Sequence, residues 1–98
     1  MEIKVNKNGT ELTISPVGRM DTATSPEVQA VVDENIGDAT DLTFDLGELK
    51  YLSSAGLRVL MSAQKAMLSQ GSMKLINVNE DILDIFDMTG LTYVFEIE

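Results

Sequence analysis

The chain has 98 residues, 44% apolar and 23% charged, with seven Lys and Arg against sixteen Asp and Glu, for a net charge of −9. That length holds one core and leaves little room for a deep catalytic cleft, and the charge disfavours nucleic acid and anionic membranes, whose phosphates need a cationic surface. His and Cys are both absent, which excludes a Ser-His-Asp triad, imidazole or thiolate metal ligation, thiol chemistry and disulfides.

The opening "MEIKVNKNG" lacks the apolar stretch of a signal peptide, and no apolar run reaches the roughly 18 residues of a membrane span. A cytoplasmic protein without membrane insertion is expected. Ile3 and Val5, then Leu12 and Ile14, alternate on either side of Asn8-Gly9. Asn-Gly favours a tight hairpin turn with positive φ angles, so 2–7 and 10–17 are expected to pair antiparallel. Pro16 cannot donate to a ladder, so the second strand should end, bulge or lie open there.

In "DTATSPEVQAVVDENIG", Thr24 or Ser25 can cap, Pro26 suits a first turn and Glu27 favours the positive end. Val28, Val31 and Val32 share a face and Gly37 follows, which predicts a helix over 26–36. "DLTFDL" at 41–46 reads as a strand. The stretch from Ser54 to Ser69 reads as the longest helix, stopped by Gly71. Its polar stripe is Arg58, Ser62, Lys65 and Ser69; Leu57, Val59, Leu60, Met61, Ala63, Ala66, Met67 and Leu68 should be largely packed. Ser54 stands beside that stripe and should be reachable from solvent.

"MKLINV", 73–78, is a further strand. Asn79 then caps a helix over 80–88 whose Ile82, Leu83, Ile85 and Phe86 pack inward and which Gly90 stops. "TYVFEI", 92–97, reads as the last strand. The order ββαβαβαβ implies an α/β fold in one domain, 1–98: a mixed sheet opened by an antiparallel hairpin and continued by parallel crossovers. No phosphate-binding Gly loop or EF-hand spacing is present, so neither cofactor nor metal is expected.

From the residues alone, Ser53 and Ser54 read first as helix caps. A catalytic serine lacks a base, since a Ser-Lys dyad with Lys50 or Lys65 has no supporting motif. Asp21 can shape a surface or favour the coming helix end. Asp45 can face the Ser53 loop or start a turn with Gly47.

Three segments carry a resemblance to a family. "DLGELKYLSSAGLRVL" is similar to the signature of STAS domains, the anti-sigma factor antagonist fold, through Asp45, Leu49, Leu52, Ser53, Ser54, Gly56 and Leu57. "GRMD", Gly18 to Asp21, resembles the Gly-x-hydrophobic-Asp that follows the family's second strand, and "FDMTGL", Phe86 to Leu91, resembles its Phe-Asp-Met-Ser-Gly-Leu. The resemblance implies a partner-switching protein that binds an anti-sigma factor with serine/threonine kinase activity and is phosphorylated at a helix mouth, with a serine phosphatase resetting it. By position the acceptor is Ser54, with Ser53 the second choice, because Ser53 stands where many members carry Asp. The partner surface so implied contains Asp21, Thr22, Ser53, Ser54, Ala55, Gly56 and Arg58. Two other classes stay open: an adaptor subunit of a stress-signalling or phospholipid-transport assembly without a phospho-switch, and a nucleotide-binding domain.

Overall fold

A computed structural model describes residues 1–98. Along the chain it places β1 (Glu2–Asn8), β2 (Glu11–Met20), α1 (Ser25–Asn35), β3 (Asp41–Asp45), β4 (Leu49–Leu52), α2 (Ser54–Met67), β5 (Ser72–Ile76), α3 (Glu80–Thr89) and β6 (Glu96–Ile97). The main sheet runs β1-β2-β3-β5-β6, and β4 pairs with β2 off that path. β1 and β2 are antiparallel and every other pairing is parallel. This is the mixed sheet with a leading hairpin that the element order implies, with one short strand more.

The hairpin turn sits one residue later than expected. Asn8 pairs with Glu11 inside the ladder, and only Gly9 takes a positive φ, 63°. A single left-handed residue at the first central position closes a two-residue turn, so Asn8 stays in the strand. Pro16 does not end β2. Beside β3 the strand is paired through Ile14, and beside β4 from Gly18 onward. Pro16 falls in the gap between the two partners, where no ladder donor is needed on that side. The β2–β4 register then shifts between Gly18 and Arg19.

Alternation along the strands separates two faces. Leu12, Ile14, Leu42, Phe44, Met73 and Leu75 are buried beneath the helices. From the helices Val28, Val32, Leu57, Leu60, Met67, Ile82 and Phe86 join the same core. On the other face Thr13, Thr43, Lys74 and Glu96 form a polar row across β2, β3, β5 and β6.

Three expectations about packing and element ends fail. Met61 and Leu68 are 42% and 75% exposed, because α2 packs on α1, β4 and β5 and nothing covers its outer side. Met67, on the inner side, is fully buried as expected. Helix α2 ends at Met67 rather than Ser69, and Gly71 N–H donates back to the Met67 carbonyl. The last strand holds only Glu96 and Ile97, because a turn from Leu91 to Val94 precedes it, and Tyr93 is 98% exposed. Phe95 is the one buried residue of that stretch, its ring 5.5 Å from that of Phe86. Gly90 stops α3 in the left-handed conformation, φ 73°, as the sequence predicts. No helix is long and apolar enough to cross a membrane.

Candidate functional site

The site forms where two chain segments meet at the ends of parallel strands. β2 ends at Met20 and β4 at Leu52, and the two are paired. Ser53 N–H donates to the Met20 carbonyl at 2.8 Å, which joins the loop after β2 to the mouth of α2. Strand ends of open α/β sheets gather loops in this way, and binding sites form there. Asp21 and Thr22 therefore stand beside Ser53 to Gly56.

The loop after β2 is held by Asp21. Its Oδ1 accepts from the Ala23 and Thr24 N–H groups, each at 3.0 Å, and from the Thr24 hydroxyl at 3.1 Å. In return the Asp21 N–H donates to Thr24 Oγ1 at 2.9 Å. These donors, the Thr24 N–H first, hold the Asp21 carboxyl below its ordinary pKa, against a smaller opposing effect of desolvation. Asp21 thus organises the entry to α1. Thr24 occupies the cap position without making a side-chain cap bond, since its hydroxyl is spent on Asp21 and on the Arg19 carbonyl.

The two serines divide their work. Ser53 has extended backbone angles and is the N-cap of α2: its Oγ accepts the Gly56 N–H at 3.3 Å, and its carbonyl accepts the Leu57 N–H. Ser54 is the first helical residue and is exposed. The N–H groups of Ser54 and Ala55 have no partner within the protein, so this helix mouth presents free donors and a positive dipole end. Gly56 is required by packing. A Cβ there would lie 3.0 Å from Met20 Cβ and 3.2 Å from the Met20 carbonyl oxygen. The close approach seats α2 against the end of β2.

Arg58 follows Ser54 by one turn, is exposed and takes part in none of the four ion pairs. Two neighbours escape sequence reading. The Arg19 guanidinium lies 4.3 Å from the centre of the Tyr51 ring, a cation–π contact beside Ser53. Its only sequence signal is an exposed aromatic one residue ahead of the buried end of a strand. Asp45 serves its local loop, where Oδ1 accepts from the Gly47 N–H and the Asn77 side-chain amide, both at 3.0 Å.

The architecture defines a two-layer α/β module whose exposed serine opens a helix at a strand end. The STAS domain family model matches residues 2–98, and the chain belongs to that family. Among curated relatives, the anti-sigma-B factor antagonist of Bacillus subtilis (strain 168) is 28% identical over 98 residues, covering 99% of this chain and 90% of that protein. The fold is similar to the crystal structure of an anti-sigma factor antagonist from Mycobacterium paratuberculosis, with TM-score 0.88 and 18% identity over 98% of this chain and 83% of that one. It is also similar to the Bacillus cell fate determinant SpoIIAA in its phosphorylated form, with TM-score 0.76 and 16% identity over 99% and 91% of the two chains.

Proposed function

We propose that this chain is an anti-sigma factor antagonist switched by phosphorylation of Ser54. On this reading it acts in the cytoplasm, its partner is an anti-sigma factor with serine/threonine kinase activity, and a serine phosphatase restores the unmodified form. The curated relative acts, by its name, on an anti-sigma-B factor, and SpoIIAA has been solved phosphorylated. The observation that carries the reading is the division of labour at the mouth of α2. Ser53 supplies the cap and leaves Ser54 exposed with nothing structural to do. The docking face comprises Asp21, Thr22, Ser53, Ser54, Ala55, Gly56 and Arg58.

The chemistry follows from the geometry. A phosphate on Ser54 meets two free backbone donors and a helix N-terminus, which favour its charge. On this reading Arg58, at i+4, pairs with it. The phosphate adds about −1.5 to −2 charge to the docking face, and a partner packed against that face is repelled while the domain stays folded. The test is phosphate transfer by a cognate anti-sigma factor kinase to the parent, Ser54→Ala and Ser53→Ala, read by mass spectrometry. Ser54→Ala should abolish incorporation and Ser53→Ala should keep it. Incorporation lost only in Ser53→Ala moves the acceptor by one residue. No transfer to either serine sinks the switch and leaves an adaptor role.

A further inference from the structure

Beside the Ser54 face, a groove of about 450 Å³ runs between α1 and α2. Thr22, Ser25 and Ser62 are among its polar lining residues, with Arg58, and Ala55 and Val59 among its apolar ones.

Two independent observations mark it as a binding site. Ser25 is only 2% exposed, and its hydroxyl has no hydrogen-bond partner. Buried polar groups are almost always paired, so an unpaired hydroxyl lining a groove awaits an acceptor. The second observation is electrostatic. Helix α2 contains no Asp or Glu, whereas α1 carries Glu27, Asp33 and Glu34, and α3 carries Glu80, Asp81, Asp84 and Asp87. In a chain of net charge −9, α2 shows solvent two cations, Arg58 and Lys65, neither in an ion pair. Lys4, Lys7 and Lys74 are already paired with carboxylates, Arg19 lies over Tyr51, and Lys50, exposed and unpaired, stands on β4 away from the groove lining.

We propose that this groove is an oxyanion subsite that receives one carboxylate side chain, Asp or Glu, from the docked protein partner. The proposal rests on the reading that the Ser54 face docks a protein, and adds the chemistry of what it docks. A guanidinium and a carboxylate match as planar forks with two parallel hydrogen bonds. One guanidinium balances one carboxylate. A phosphate dianion would leave the groove net negative beside Asp21, whose depressed pKa keeps it ionised. The Ser25 hydroxyl donates to the second lone pair of the incoming oxygen, and the apolar wall packs on the methylenes behind it.

The experiment titrates the full chain, followed by the NMR signals of Ser25, Ser62 and the Arg58 Nε–H, at constant ionic strength. The probes are sodium acetate, capped glutamate (N-acetyl-glutamate amide) and inorganic phosphate. Acetate and capped glutamate should give saturable shifts at these three residues. Arg58→Gln should weaken binding about tenfold or more, Arg58→Lys less, and Ser25→Ala about threefold. Arg58 is exposed, so its variants should keep the parent spectrum elsewhere. Shifts that never saturate, or unchanged affinity in Arg58→Gln, overturn the proposal. So does phosphate binding more tightly than acetate at Ser25 and Ser62, or acetate binding where capped glutamate does not. No probe involves the kinase. Saturable capped-glutamate binding in a chain whose Ser54 never accepts phosphate would therefore overturn the switch and keep the subsite.

Discussion

The mouths of α2 and α3 share a backbone plan and differ in chemistry. Both caps, Ser53 and Asn79, have extended angles, and both accept the N–H three residues on, from Gly56 at 3.3 Å and from Ile82 at 3.0 Å. Behind the cap α2 reads Ser54, Ala55, Gly56, and α3 reads Glu80, Asp81, Ile82. In α3 the first two positions already carry the acids that suit a helix N-terminus, and the third buries a large side chain. In α2 those places are an uncharged hydroxyl, a methyl and a bare backbone. One mouth is finished as folded; the other presents two free backbone donors and no carboxylate.

The sharpest break in this comparison is at the third position. Ile82 is fully buried, so Ile82→Ala should cost about 3 kcal/mol in denaturant unfolding. A loss under about 1 kcal/mol would mean that α3 is not anchored by its mouth. The caps come next. Asn79 also donates from its side chain to the Leu49 carbonyl at 3.0 Å, whereas Ser53 makes only its single 3.3 Å cap bond. Asn79→Ala should therefore cost about 2 kcal/mol and Ser53→Ala about 0.5–1 kcal/mol. Equal losses would show that the tie to β4 adds nothing. Gly56→Ala should cost about 1 kcal/mol net, since contact with Met20 and Leu52 outweighs the better helix propensity of Ala. At an exposed helical position the sign would be reversed.

A smaller effect belongs to the loop that flanks the open mouth. Asp21 has a depressed pKa from the Thr24 and Ala23 donors. The sign follows directly. Its stabilising interaction is fully present above the ordinary carboxylate pKa and is lost as pH falls through the lower folded value. Thr24→Val removes the hydroxyl but keeps both backbone donors. The Asp21 carboxyl carbon should then titrate closer to the ordinary value, though still below it. An unchanged titration would assign the depression to the backbone donors and the Arg19 charge.

The open mouth was legible in sequence because its signals are local. Ser53-Ser54 before Ala-Gly, and Asn79 before two acids, mark caps within four residues of chain. The leading hairpin and the Gly90 stop are local in the same sense. What stayed hidden depends on distant segments. Leu49–Leu52 has buried ends and an exposed middle pair, which matches neither the strand nor the helix period, and it becomes a strand only because the end of β2 lies free beside it. Met61 and Leu68 look like core in a count of apolar residues, but burial needs a neighbour and α2 has none on that side. The Arg19–Tyr51 stack joins residues 32 apart in sequence (51 − 19) through strand pairing alone. Gln70 likewise clips the end of α1 by donating to the carbonyls of Ile36, Gly37 and Ala39, a contact with no periodic signature.

The smallest expected change in stability comes from the phosphorylation proposed for Ser54, and α3 shows why. Its first two helical positions hold Glu80 and Asp81, two negative charges on a folded helix mouth. Phosphate on Ser54 brings about the same charge to the corresponding place in α2. There it meets free Ser54 and Ala55 donors and Arg58 one turn on. The favourable helix-end interaction is worth about 0.3–1 kcal/mol at low ionic strength, and the added self-repulsion in an already acidic chain opposes it. Thermal unfolding of the phosphorylated and unmodified chains should therefore agree to within about 0.5 kcal/mol, a shift of roughly 2–4 °C at most. Any difference should shrink as salt screens the exposed phosphate. Amide signals should move near 53–58 and stay fixed in α3 and the sheet. A loss of more than about 1 kcal/mol, or shifts spread through the core, would mean that the phosphate acts by unfolding α2. The two mouths would then differ in stability as well as in charge, and the switch would work by disorder in place of repulsion at an intact surface.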